Sequence, residues 1–160
     1  MNRFKGLRLT RPRSGQTGAS AVEFALVFPI MLAVAYGGVV YAYIYVLQQS
    51  INFAAQQGAQ AAVATIPITT GTNPSAATAA ARVQKATDAV NNTLGWLPTA
   101  QRGRLTIPQP ATGCNTVNGA FAVQVNFTTA GLFAALNLPG LGSFPYMPPS
   151  LLACAVAFTS

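Results

Sequence analysis

The sequence contains no histidine and only two acidic residues among 160, Glu23 and Asp88. Without imidazole there is no His general base, no His metal ligand and no Ser-His or Cys-His relay. The two carboxylates lie far apart in the chain, Glu23 at the edge of an apolar run and Asp88 in a separate helix-like segment, so they do not read as a paired acid and base. A Gly-rich phosphate loop and a Cys-x-x-Cys pair are also missing. The expectation is a protein that is not an enzyme and that needs neither metal nor cofactor.

Charge of either sign is scarce. Charged residues make up 7% of the chain, against roughly 25% in ordinary soluble domains, so part of this protein is solvated by lipid. The net charge of +7 could suggest nucleic acid, but Arg3, Lys5, Arg8, Arg11 and Arg13 all precede the apolar run. The remaining Arg82, Lys85, Arg102 and Arg104 are too few for a stripe that tracks phosphates. The basic residues therefore report membrane topology, and no nucleic-acid partner is expected. The length allows one modest folded domain beside a membrane segment.

Residues 1–18 (MNRFKGLRLTRPRSGQTG) are basic, rich in Gly, Pro, Ser and Thr, and without apolar periodicity, which is the composition of a leader. The run AVEFALVFPIMLAVAYGGVVYAYIYVL from Ala21 to Leu47 is apolar except for Glu23. After that Glu it would extend roughly 36 Å as a helix, enough for a ~30 Å hydrocarbon core. A membrane segment is accordingly expected over 22–47. Five basic residues before it and none between it and Arg82 predict an N-terminus in the cytoplasm and a C-terminal part outside it. Tyr36, Tyr41, Tyr43 and Tyr45 suit an interfacial aromatic belt, and Pro29 costs the helix one donor.

Past Leu47 the pattern becomes amphipathic, with Leu47, Ile51, Ala54, Ala55, Ala59 and Ala62 at helical spacing. The first helix is thus expected to span 19–65, with a head over 66–160. Asn73-Pro74 offers an N-cap followed by Pro at the first position of a second helix. Its apolar positions are Ala76, Ala80, Val83, Val90, Leu94 and Leu97, leaving Arg82, Lys85 and Asp88 to solvent. Trp96 reads as a core anchor. The period then changes to two: Arg104–Ile107, Phe121–Phe127 and Leu151–Phe158 are strand candidates, the last with Leu152, Cys154, Val156 and Phe158 on one face. The Pro- and Gly-rich stretch from Leu138 to Pro149 reads as a long connecting loop. The fold class expected is α+β: a long N-terminal pilin-like helix, then a small head with one further helix and a short antiparallel sheet of about three strands.

Cys114 and Cys154 are the only cysteines, both on the side of the apolar run assigned outside the cytoplasm, where an oxidising compartment lets them pair. Closing such a loop contributes on the order of 3–4 kcal/mol by the chain-entropy estimate, a useful staple for a small Ala-rich head.

The constellation Gly18-Ala19-Ser20-Ala21-Val22-Glu23-Phe24, between a basic leader and an apolar run, resembles a class III prepilin cleavage site. An ordinary secretory signal is the competing reading, with Phe24–Leu32 as its apolar core and Ala33-Val34-Ala35 as a small-x-small cleavage site. The longer stretch from Gly18 to Val63, with its GASAVEFALVFP opening, resembles the TadE family of minor pilins from tight-adherence (Tad) systems. That resemblance implies cutting by a prepilin peptidase between Gly18 and Ala19, and roles for Glu23 and Phe24 in assembly. It also implies, as partners, other pilin subunits along the N-terminal helix, the Tad inner-membrane assembly platform and membrane lipid. The localisation it implies is the bacterial inner membrane, with the head periplasmic or, in an assembled pilus, extracellular. A membrane-anchored envelope adhesion module that never joins a pilus is the alternative.

Overall fold

The computed structural model describes residues 17–109, 111–114, 119–138 and 142–158. Most of the expected leader lies outside the described residues. The chain divides into two compact units, Met1–Gly38 and Val39–Ser160.

The described part of the first unit is purely helical and belongs to α1 (Thr17–Val63). Its side chains are almost all exposed, including Val22, Leu26, Ile30, Met31 and Val34. Phe24 and Phe28, one turn apart, stack with ring centroids 5.2 Å apart. A helix that is apolar all round and buries so little in its own chain has its solvent elsewhere. By length and composition α1 is able to cross a membrane.

The second unit is an α+β head built on the rest of α1. Here the apolar residues fall on one stripe, and Val40, Ile44, Leu47, Ile51, Ala54, Ala55, Ala59 and Ala62 are all buried. Against this stripe pack α2 (Pro74–Thr93) and a sheet of β1 (Leu105–Thr106), β2 (Ala120–Thr128) and β5 (Ser150–Phe158). The short α3 (Thr99–Arg102) precedes β1, and a separate hairpin of β3 (Leu136–Leu138) and β4 (Gly142–Phe144) lies between β2 and β5. The sheet is antiparallel in the order β1-β2-β5, with Val125 opposite Ala153 and Gln124 opposite Cys154.

Helix and sheet approach closely at Gly58. A Cβ there would lie 2.8 Å from Val90 Cγ2, 3.2 Å from the Ala86 carbonyl oxygen and 3.3 Å from Val123 Cγ1. Glycine at this one position lets α1 meet α2 and β2 at the same level. From the sheet, Val123, Val125 and Phe127 of β2 and Leu151, Ala153 and Ala155 of β5 complete the core.

The expected class and the expected helices and strands are present, with several corrections. In α2 the buried positions are Thr78, Ala86 and Val90, while Ala76 and Ala80 are exposed. Thr78 displaces the stripe because its hydroxyl serves the preceding loop, accepting from the Ile68 amide at 2.9 Å and donating to the Pro74 carbonyl at 2.8 Å. Arg82 consequently lies along the packed side: it is half-buried, with Nε enclosed and unpartnered. Asn73 occupies the N-cap position without capping, its carboxamide oxygen accepting instead from the Ser75 hydroxyl. Trp96 is 53% exposed and anchors no core, because the tight turns after α2 assign the buried positions to Leu94 and Leu97. The stretch read as a plain loop contains β4 and, with β3, a hairpin.

Candidate assembly site and head staple

Gly18 and Ala19 stand in the first turn of α1, with Glu23 and Phe24 in the turns that follow. Glu23 lies four positions after Ala19, about one helical turn further on, and Phe24 stacks on Phe28. Gly18 is open: a Cβ added there meets nothing within 4 Å. Glu23 is exposed at the start of an apolar helix. A carboxylate carried toward the centre of a bilayer costs about 2.5–3.5 kcal/mol on insertion scales, so this position calls for a cation or for the headgroup level.

The outer part of the expected membrane segment behaves differently from the inner part. Val40, Ile44 and Leu47 are enclosed by the head. Two of the four tyrosines read as a belt are tied to head loops: the Tyr41 hydroxyl donates to the Tyr146 carbonyl at 3.0 Å, and the Tyr43 hydroxyl donates to Gln101 Oε1 at 2.6 Å. The Tyr43 ring also meets Phe133 edge to face at 5.5 Å. Sequence patterning alone could not separate these roles, because a buried helix stripe and a lipid-facing one use the same residue types.

Cys114 and Cys154 form a disulfide with Cα atoms 5.7 Å apart. It binds the segment before β2 to β5 and holds residues 111–114 over the outer face of the sheet. Beneath them Gln124 is buried, and its Oε1 accepts from the Gly113 amide at 2.7 Å. The side-chain amide thereby satisfies a backbone donor that would otherwise be lost under the staple. The remaining outer face of β5 is open, with Leu152, Val156 and Phe158 exposed. Gln124 carries no sequence signal beyond its place in an alternating strand, whereas the hairpin missed at 136–144 is flanked by Pro and Gly at its turn and was legible in principle.

Among the described residues, no group of three or more His, Cys, Asp or Glu side chains gathers as a metal would require. The features that do converge are an exposed apolar helix with one carboxylate near its start and a stapled α+β head on the same helix, the layout of a membrane-anchored, pilin-like protein. The family model for TadE-like proteins matches residues 18–60, covering nearly all of α1 and none of the rest of the head. No curated protein and no solved structure matches the chain.

Proposed function

We propose that this protein is a minor pilin or pseudopilin of a Tad-type pilus. A prepilin peptidase cuts it after Gly18, and the mature chain begins at Ala19 with Glu23 as its fifth residue. Before assembly it sits in the bacterial inner membrane with α1 as a single span, its N-terminus cytoplasmic and its head periplasmic. It contributes to pilus initiation or to the tip, and through them to surface adherence.

The observation that carries this reading is the coincidence of the TadE-like match at residues 18–60 with an exposed apolar helix bearing Glu23 near its start. In a helix bundle in lipid, the α-amino group freed on a neighbouring subunit is a ready counter-charge for Glu23, and a pair of this kind sets the axial register between subunits. The disulfide agrees with a head folded in an oxidising compartment.

Two variants test the reading. Gly18→Phe should leave full-length precursor in the membrane fraction, visible by intact mass. Glu23→Ala should be cut normally yet be lost from sheared pili. A wild-type mature N-terminus at Tyr36 would instead identify a secreted domain, and unchanged recovery of Glu23→Ala in pili would remove the carboxylate from assembly.

A further inference from the structure

The stretch of α1 that offers only lipid-facing side chains is short. Between Glu23 and the first buried position of α1, Gly37, the helix from Phe24 to Tyr36 covers only ~20 Å at ~1.5 Å per residue, against a hydrocarbon core of ~30 Å, and the buried stripe resumes at Val40. If Glu23 stays at one headgroup level, the opposite boundary falls at about Tyr41 to Tyr43, already inside the head.

Three head segments meet α1 at that level: Gln101 and Phe133 on Tyr43, and Tyr146 on Tyr41. The third is chemically suited to lipid. Pro145–Pro149 carries no charge, and Tyr146 is 81% exposed. With Thr129 and Ala130 this loop lines an open cavity of about 400 Å³. It is also held in place, since the Thr129 amide donates to the Pro149 carbonyl at 3.0 Å and the Thr129 hydroxyl to the Pro148 carbonyl. The cations follow the same end of the head: Arg102 adjoins Gln101, and the Arg104 guanidinium donates to the carbonyls of Ala130 and Gly131. An exposed aromatic in an uncharged loop, flanked by arginines at the level where a span ends, is the composition of a membrane interface.

We propose that the loop Pro145–Pro149 is a second membrane contact, resting Tyr146 and Met147 in the headgroup region beside the α1 span, with Arg102 and Arg104 at the level of the lipid phosphates. The inference rests on α1 being a membrane span. Leaving the membrane for a pilus then requires breaking this contact as well as withdrawing the helix.

The test uses the full chain in vesicles of phosphatidylcholine and phosphatidylglycerol, with and without lipids brominated either near the glycerol end of the acyl chain, to report on residue 146, or near its methyl end, to report on residue 34 at the bilayer centre. In a Trp96→Phe background, single tryptophans are placed by Tyr146→Trp, Val34→Trp and Ile66→Trp; Ile66 is 84% exposed and lies beyond the other end of the helix stripe. The proposal expects bromine quenching and a blue-shifted emission for Tyr146→Trp, quenching for Val34→Trp, and neither for Ile66→Trp. Quenching of Val34→Trp with an unquenched Tyr146→Trp overturns the loop contact and leaves the span in place. An unquenched Val34→Trp overturns both.

Discussion

Gly58→Ala is the smallest change that should be felt throughout the head. On an open helix face the added methyl would stabilise by about 1 kcal/mol, because alanine is the better helix former. At residue 58 the methyl has nowhere to go: it would sit 2.8 Å from Val90 Cγ2, with the Ala86 carbonyl at 3.2 Å and Val123 Cγ1 at 3.3 Å. Val90 is fully buried and cannot swing out, and the carbonyl belongs to the α2 backbone. Overpacking of this kind costs about 1–3 kcal/mol, so after the propensity gain the net loss should be about 1 kcal/mol. For a domain of this size that lowers Tm by ~4 °C. The assay is thermal melting of the detergent-solubilised chain, followed by circular dichroism and by trypsin susceptibility, since all four basic residues of the head (Arg82, Lys85, Arg102 and Arg104) are potential cleavage points. Val90→Ala alone should cost ~2 kcal/mol through lost burial and a partial cavity. Combined with Gly58→Ala it should cost less than the sum by about 1 kcal/mol, because the new methyl enters the space that Cγ2 leaves. A higher Tm for Gly58→Ala, or strict additivity in the double variant, would refute a three-way contact at this glycine.

Cys154→Ser opens a covalent loop with a sequence separation of 40 and should destabilise the head by about 4 kcal/mol in the chain-entropy estimate, raising its protease sensitivity while leaving cleavage at Gly18 unchanged. Non-reducing peptide mapping checks the bond itself, and two alkylatable thiols in envelope protein would contradict it. Phe127→Ala removes the largest fully buried side chain of the head and should cost about 3–5 kcal/mol, whereas Phe158→Ala, at a site 71% exposed, should change the melt by no more than ~0.5 kcal/mol. Equal melting temperatures for these two variants would mean that the sheet is covered on the opposite face.

The legible parts of this protein were those whose chemistry is local. The long helix, the second helix after Asn73-Pro74, and the strands at 120–128 and 150–158 each announce themselves through period 3.6 or period 2, and a chain with only two cysteines leaves a single intramolecular pairing. The TadE-like opening with Glu23 was likewise written in consecutive residues. Alternation, however, tells that a strand has two faces without telling which one is covered. In β5 the larger residues Leu152, Val156 and Phe158 look outward, and Leu151 with two alanines fills the core, because it is their face that continues the buried side of β2 formed by Val123, Val125 and Phe127. The same holds along α1, where one uninterrupted apolar run serves lipid-type exposure over its first part and a continuous buried stripe from Val40, a change that follows where the loops of Gln101, Phe133 and Tyr146 return to the helix. Residue type determined what each segment could bury, and long-range contacts decided what it buries against.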